Sequence, residues 1–151
     1  MKIQTSVKPL FQYSHTIGAQ ALGPKGLNSP VDVATGPGRL LYVLNRPSEN
    51  SPRGNWIAKC NLDDEYLGTF GACGTAEGEL TWPNSLAVDH QGSVYITDEW
   101  LNRISVFDEN GELRHTWGTE GDGIGQLNRP AGITFDRDGH LLVADSMNHR
   151  I

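Results

Sequence analysis

The sequence lacks the features that would place the protein in a membrane, in a helical bundle or on nucleic acid. No apolar run reaches the roughly 18 residues of a membrane-spanning helix, and no stretch keeps a helical period of apolar residues. The formal charge is −6 and no basic block is present, so the electrostatic footprint of a nucleic-acid-binding protein is missing. We therefore expect no membrane contact and no nucleic-acid partner.

Export signals and cysteines are also scarce. Residues 1–10 form a polar lead-in without the continuous apolar core of a signal peptide, which makes the cytoplasm the default expectation. Two cysteines, Cys60 and Cys73, are too few for a disulfide scaffold and fit no metal-ligand spacing. A bridge between them and two ordinary buried or loop thiols both stay open.

Glycine and proline are abundant, with 18 and 8 residues among 151. This content is typical of a β protein with many tight turns. With 37% hydrophobic residues, the chain can bury most of its apolar surface on folding. The composition therefore favours a soluble all-β domain.

The stretch from Leu80 to Gly118 predicts one unit of four short antiparallel strands. Apolar and polar residues alternate along it, as in half-buried strands. Gly92 and Gly111 end the tight turns of its two hairpins, because glycine accepts the left-handed conformation. The predicted strands are residues 84–88, 93–97, 103–107 and 112–117.

Longer or shorter copies of this unit make up the rest of the chain. A glycine and a proline recur twelve positions apart, at Gly18 and Pro30, Gly71 and Pro83, and Gly118 and Pro130. The predicted segments are an orphan outer strand at 11–18, full units at 30–71 and 83–118, and a partial unit at 130–151. In the first full unit, residues 46–55 form an insertion rich in proline, serine and asparagine, which predicts a loop. Four-stranded units at a 40-to-50-residue period are typical of β-propeller blades.

The last unit closely resembles the NHL repeat. Residues 127–151 read LNRPAGITFDRDGHLLVADSMNHRI, with Asn148-His149 where that family has the Asn-His of its name. The middle unit is similar, with Leu101-Asn102 at this place, whereas the first unit departs most. The resemblance implies an NHL-type β-propeller of the six-bladed, TolB-like class, with about two and a half to three blades present.

An aspartate and an arginine recur at fixed places in two units. Asp98 ends a second strand and Arg103 begins a third, so the two face each other across a short connection, and Asp145 and Arg150 repeat the arrangement. The first unit has Asn45 at the aspartate position. We predict that an ion pair or hydrogen bond within each pair fixes the loop, a structural role rather than a catalytic one.

Six blades would need roughly 270 residues, so this sequence predicts an incomplete ring. One explanation is that the sequence is truncated. The alternative is a homodimer in which two copies complete one ring, the strand near residues 14–17 closing the last blade of the partner.

Binding residues should concentrate on one face, because the connections between second and third strands and those between blades lie on the same side. Aromatic and arginine side chains dominate contact energies, and we expect a protein or peptide partner there. The alternatives are that Trp82 packs between blades and that Trp56 lies in the core. The candidates on this face are Arg46, Arg53, Trp56, Trp82, Asn84, Glu99, Trp100, Arg129 and Met147.

Catalytic, metal and cofactor sites are not predicted from this chain. Four of its histidines fall in or beside tight turns or on outermost strands, at His90, His140, His15 and His115. The innermost strands offer mainly Asp32, Asn84 and Ser85, which are too few for a site. The resemblance keeps two alternatives open: a metal-dependent lyase or lactonase whose ligands lie in other blades, and an RNA-binding or ubiquitin-ligase-associated NHL domain.

Two further motifs are interpreted as turns or loops. Asp136-x-Asp138-Gly139 is similar to the start of a calcium loop but lacks the remaining ligand spacing, so a turn is predicted. Residues 121–125 are similar to a phosphate loop in composition alone, because no helix follows them.

Overall fold

The fold is built mainly from short strands, as the sequence predicts. The computed structural model describes residues 12–18, 26–47 and 54–151. In this part of the chain no helix is both long and apolar enough to cross a membrane. Short 3₁₀ turns follow β1 and β12, at Pro37–Arg39 and Ser146–Asn148. The strands are β1 (Pro30–Gly36), β2 (Leu40–Asn45), β3 (Trp56–Asn61), β4 (Tyr66–Phe70), β5 (Ala72–Cys73), β6 (Glu79–Leu80), β7 (Pro83–Val88), β8 (Val94–Asp98), β9 (Arg103–Phe107), β10 (Leu113–Trp117), β11 (Pro130–Phe135) and β12 (Leu141–Asp145).

The strands form consecutive antiparallel sheets. Strands β1 to β4 make one four-stranded sheet and β7 to β10 a second, each in chain order, while β11 and β12 form a two-stranded sheet. The first strands of neighbouring sheets, β1 with β7 and β7 with β11, lie against each other. This arrangement confirms the prediction of propeller blades, whose innermost strands gather near one axis.

Each blade packs against the next through alternate residues of its strands. Tyr42 and Leu44 of β2 are fully buried against Leu86 and Ile96 of the second blade, whereas Val43 points to the opposite side with Trp56 and Ala58. The period of two in a strand explains why neighbouring residues enter different clusters. Burying each such aliphatic side chain contributes about 1.5 to 3 kcal/mol, so packing between blades stabilises the fold.

Polar contacts join the innermost strands of adjacent blades. Asp32 Oδ2 accepts hydrogen bonds from Ser85 Oγ at 2.6 Å and from the backbone N–H of Leu86 at 2.8 Å. Thr97 Oγ1 donates to the carbonyl of Ala131 in the third blade at 2.6 Å. Asp32 and Ser85, the innermost residues singled out in the sequence, therefore bond to each other and link two blades.

The N-terminal segment does not form the predicted orphan strand. Residues 12–18 have no strand conformation, and among the described residues none forms a ladder with them. His15 Nε2 lies 3.0 Å from the carbonyl oxygen of Leu62, and the N–H of Gly18 donates to Asp64 Oδ1 at 2.8 Å. A strand needs the hydrogen bonds of a neighbouring strand, so the segment follows the turn between β3 and β4 instead. Residues 1–11, 19–25 and 48–53, which include the lead-in, Arg53 and most of the insertion, lie outside the described residues.

The two cysteines are free thiols, so no bridge joins them. Cys60 is buried on β3 and Cys73 is exposed on β5. Burial is the main cause that raises the pKa of the Cys60 thiol, with a smaller contribution from Asp64. The alternative of two ordinary thiols therefore describes the structure.

The same side-chain hydrogen bonds close four tight turns, with at least one in each of the three blades. A carboxylate or amide oxygen at the first turn position accepts two backbone N–H bonds of 2.8 to 3.0 Å from residues two and four positions later. This pattern is a local side-chain cap of a turn. It also explains why Asp136-x-Asp138-Gly139 is a turn, as predicted. The residues in this role are Asn61, Asp89, Asp108 and Asp136.

Acid should weaken the fold because these turn aspartates are stabilised as carboxylates. Backbone N–H groups of Glu112 and His140 are the main causes that lower the pKa values of Asp108 and Asp136. Burial raises the pKa of Asp89, but its hydrogen bonds together outweigh burial and lower it. The stabilisation is thus present above the unfolded pKa of about 3.9 and is lost as the pH falls through the lower folded values. Urea unfolding between neutral pH and about pH 2.5 should show this loss.

The matched control replaces Asp89, Asp108 and Asp136 with asparagine. Asn61 shows that an amide oxygen makes the same two bonds, so the triple variant keeps the turns but cannot titrate there. Its stability should depend less on pH below about 4. An acid loss of the same size in both proteins would contradict the role of these aspartates.

Candidate functional site

The long connections and the loops between second and third strands lie on the same side of the blades. Glu99 N–H donates to the carbonyl of Trp82 at 3.1 Å, Met147 N–H to that of Asn128 at 3.0 Å, and Arg46 N–H to that of Ser29 at 3.3 Å. Each bond joins a second-to-third-strand loop to the connection that precedes the same blade. We call this side the loop face, defined by residues 46–47, 71–82, 99–102, 118–129 and 146–149.

Asp98 stabilises the loop face through hydrogen bonds to its backbone and does not pair with Arg103. It is fully buried, and its carboxylate accepts bonds of 2.7 to 3.1 Å from the backbone N–H groups of Thr81, Trp82, Trp100 and Leu101. Asp98 and Arg103 are opposite each other in the β8–β9 register, yet no ion pair joins them in the described structure. The prediction of a direct contact is therefore wrong for this blade, because backbone N–H groups occupy the carboxylate.

The same support recurs in the other blades. Asn45 Oδ1 accepts from Asn28 N–H and Asp145 Oδ1 from Asn128 N–H, both at 2.7 Å. These donors stand two positions before the proline that opens a blade, as Thr81 does. In the third blade the predicted pair does form, with Arg150 Nε donating to Asp145 Oδ2 at 2.8 Å.

Asn148 of the Asn-His motif has a structural role in this arrangement. Its amide group donates to Asp145 Oδ2 and to the carbonyl of Gly121, each at 2.8 Å. Burial raises the pKa of Asp145, but the bonds from Asn128, Asn148 and Arg150 together outweigh burial and hold that pKa below its ordinary value. The carboxylate thus stays charged where it fastens the loop.

The repeat arginines fasten the connection between blades. Arg103 donates to the carbonyls of Thr75, Ala76 and Glu79 at 3.5, 2.7 and 2.8 Å. Arg150 donates to three carbonyls at 2.7, 3.1 and 2.7 Å. Those acceptors, Asp122, Gly123 and Gln126, stand at the equivalent distances before Pro130. A planar guanidinium with several fixed donors suits such a cluster of acceptors.

Trp56 takes the place of this arginine in the first blade. It is opposite Asn45 in the strand register, as Arg103 is opposite Asp98. Its indole Nε1–H donates to the carbonyl of Gly26 at 3.4 Å. Gly26 is the counterpart of Glu79, because each stands the same number of residues before the proline that opens its blade. Trp56 is 7% exposed. The core alternative therefore describes Trp56, and this residue is not available as a binding residue.

Four of the predicted binding residues come together on the loop face. The guanidinium carbon of Arg46 lies 5.0 Å from the ring centroid of Trp82, a cation–π contact. Trp82 is 43% exposed, so its ring is not buried between blades, which was the alternative for this residue. Asn84 Nδ2 donates to Glu99 Oε2 at 3.2 Å, and the backbone of Glu99 is bonded to that of Trp82.

The remaining candidates lie beside this group or in the next repeat. Trp100 is 68% exposed. Asn102, which the sequence analysis named only for its place in the repeat motif, accepts a bond from Arg129 N–H at 2.7 Å through Oδ1 and so joins the loop 99–102 to the next connection. The backbone of Asn102 is left-handed, with a φ of 51°. Asparagine adopts this conformation more readily than most residues, so an asparagine just before the repeat arginine was the sequence signal for this position. Met147 is 55% exposed in the corresponding loop of the third blade.

The grouping of possible metal ligands in the described residues lies elsewhere. Asp136, Asp138 and His140 have ligand atoms within 4.8 Å of one another, and no ion is present. They belong to a tight turn on the side opposite the loop face, where Asp136 already accepts bonds from the turn itself. The geometry of this cluster is that of a closed turn.

Comparisons with known proteins agree with the repeat pattern. The family model of the NHL repeat matches residues 127–151. RING finger protein nhl-1 of Caenorhabditis elegans is 38% identical over 107 residues, which is 70% of this chain and 10% of that protein. E3 ubiquitin-protein ligase NHLRC1 of Homo sapiens is 31% identical over 84 residues, which is 55% of this chain and 20% of that protein. The chain thus corresponds to a small part of each relative.

The fold is also similar to a solved structure of Kuenenia stuttgartiensis hydrazine synthase, with a TM-score of 0.55 and 16% sequence identity. The match covers 93% of this chain and 38% of the hydrazine synthase chain. At this identity the likeness concerns the fold alone. The repeat motif, the relatives and the four-stranded blades agree with one another. Together they identify the chain as an NHL-repeat protein with an NHL-type β-propeller fold.

Proposed function

We propose that this chain is a binding scaffold that holds a protein or peptide segment on its loop face and does not itself catalyse a reaction. The observation that carries the proposal is the group of Arg46, Trp82, Asn84 and Glu99, together with the exposed Trp100 that follows Glu99 in the same loop. Tryptophan and arginine are the residues that most often dominate binding energy at protein interfaces. An indole that is 68% exposed offers a large apolar contact to a partner.

The loops that carry this group are held in place by the fold. Asp98 binds the backbone N–H groups of Trp82 and Trp100, and Arg103 fastens the preceding connection. Because the segments of Trp82 and Trp100 are already fixed by these bonds, a partner would lose less conformational entropy in binding them. This support favours recognition by a preformed surface.

A protein partner is also supported by the relatives. One is named as an E3 ubiquitin-protein ligase and another as a RING finger protein. Transfer of ubiquitin requires that a protein substrate be held. We extend to this chain only the expectation of a protein or peptide ligand.

A selection from a random dodecapeptide phage library on the immobilised 151-residue chain tests the proposal. Enriched peptides would be synthesised, and their affinity measured by biolayer interferometry. Trp100→Ala should weaken binding about tenfold or more, as loss of a central aromatic residue does. His90→Ala, in an exposed tight turn on the opposite side, should leave affinity unchanged. Equal affinity for all three proteins would contradict the proposal.

A further inference from the structure

We infer that the loop face selects basic segments, in which a lysine or arginine of the partner lies over Trp100 next to Glu99. The inference rests on the proposed function and adds the chemistry of the partner. It follows from the charges of the loop face and from the state of its two exposed indole rings.

In the part that the structure describes, the loop face carries more free acidic than free basic side chains. In the described residues none of these acidic side chains forms an ion pair: Glu77, Glu99, Glu120 and Asp122. Arg103 and Arg150 border this face, but their guanidinium groups are bonded to backbone carbonyls. Of the described residues, Arg46 and Arg129 remain as basic groups, and Arg46 already covers Trp82. A basic partner segment would therefore complement this face.

Glu99 is the acidic group that the structure positions most directly. Asn84 holds one carboxylate oxygen, Oε2, at 3.2 Å, and the backbone N–H of Glu99 is bonded to the carbonyl of Trp82. Within the described part of the chain, no second side chain bonds this carboxylate. Its other oxygen can thus accept from a cationic group of a partner.

Trp82 and Trp100 differ in whether a cation covers the ring. The guanidinium of Arg46 lies over Trp82, which shows that an indole on this face receives a cationic side chain. Trp100 follows Glu99 in sequence, is 68% exposed, and has no cation over it in residues 12–18, 26–47 and 54–151. A cation over an exposed indole ring is attracted by the ring quadrupole. The exposed indole of Trp100, in the residue that follows the held carboxylate of Glu99, defines the place for a lysine or arginine.

The same charges argue against RNA on this face. Among the described residues of this face, phosphate groups would meet Glu77, Glu99, Glu120 and Asp122, with Arg46 and Arg129 as the available basic residues. Binding of nucleic acid gains most of its affinity from neutralised phosphates. We therefore commit to a basic peptide segment, and RNA is an outcome of the test.

The test uses the peptides enriched in the selection on the wild-type chain. They should carry net positive charge. Copies with every lysine and arginine replaced by glutamine should bind more weakly by a factor of about ten or more. Glu99→Gln should weaken binding of the original peptides about threefold to tenfold. This variant keeps an oxygen for Asn84, so the loop is preserved. Raising the salt concentration should weaken binding further.

The failures of the inference and of the proposed function can be told apart. Neutral or acidic peptides that depend on Trp100 but not on Glu99 would overturn the basic class and leave the binding face in place. Peptides indifferent to both Trp100→Ala and Glu99→Gln would overturn the proposed function. Binding of a fluorescent poly(U) oligonucleotide to the chain without any peptide, measured by fluorescence anisotropy and lost in Trp100→Ala, would overturn the choice of a peptide over RNA. Matching circular dichroism and melting temperatures should accompany each variant.

Discussion

Replacing Asp98 with alanine should lower the free energy of unfolding by about 3 to 5 kcal/mol. The fully buried carboxylate accepts from four backbone N–H groups, and alanine would leave these donors buried without an acceptor. The loss should be measured by urea unfolding at neutral pH. Asp98→Asn keeps one oxygen and should fall between alanine and the wild type.

Asp138→Ala is the control for this prediction, since Asp138 is exposed in a tight turn and should change stability by less than about 0.5 kcal/mol. Hydrogen exchange should locate the effect of Asp98→Ala in residues 81–82 and 100–101, whose N–H groups lose their acceptor. A loss below about 1 kcal/mol, within the range of an ordinary hydrogen bond, would contradict the role of Asp98 in holding the loop face.

Replacing Arg103 with alanine should cost about 2 to 3 kcal/mol and release the connection between the first two blades. The guanidinium bonds three carbonyls of that connection, and water would have to replace it at each. Amide exchange should accelerate in residues 74–80. Arg103→Lys should recover only part of the stability lost in Arg103→Ala, because a single ammonium group cannot bond all three acceptors with the geometry of the guanidinium.

Trp56→Phe is the matched variant in the first blade. It removes the indole N–H that donates to Gly26 and keeps most of the buried ring, so the loss should be about 1 kcal/mol. For Arg103→Ala itself, the decisive measurement is the amide exchange rate of residues 74–80. A rate that is unchanged or slower than in the wild type would contradict the role of the repeat arginine in holding the connection.

The strands of the middle blade could be predicted from the sequence because local signals determine them. The alternation of apolar residues and the turn glycines placed strands at 84–88, 93–97 and 103–107, and the structure has Pro83–Val88, Val94–Asp98 and Arg103–Phe107. The short parallel pair of β5 and β6 was missed, because two residues per strand cannot show a period of two.

The contacts of Asp98 and Arg103 could not be predicted in the same way. Opposite charges at facing positions suggested an ion pair, whereas the actual partners are backbone groups that carry no sequence signal. Residues 11–18 were predicted as an orphan outer strand, but strand conformation needs a neighbouring strand, and among the described residues none pairs with residues 12–18. The sequence left open whether Trp56 binds a partner or lies in the core, because the insertion at 46–55 hid its equivalence to Arg103, which became visible in the register with Asn45.

The central claim is that the loop face, held by Asp98 and Arg103, is the surface that binds a partner. Hydrogen exchange of the wild-type chain with and without a saturating selected peptide tests it most directly. We expect slower exchange in residues 81–84, 99–102 and 128–129, with no change in the tight turns at 89–92 and 108–111. Protection confined to those turns, or spread evenly over the blades, would contradict the claim.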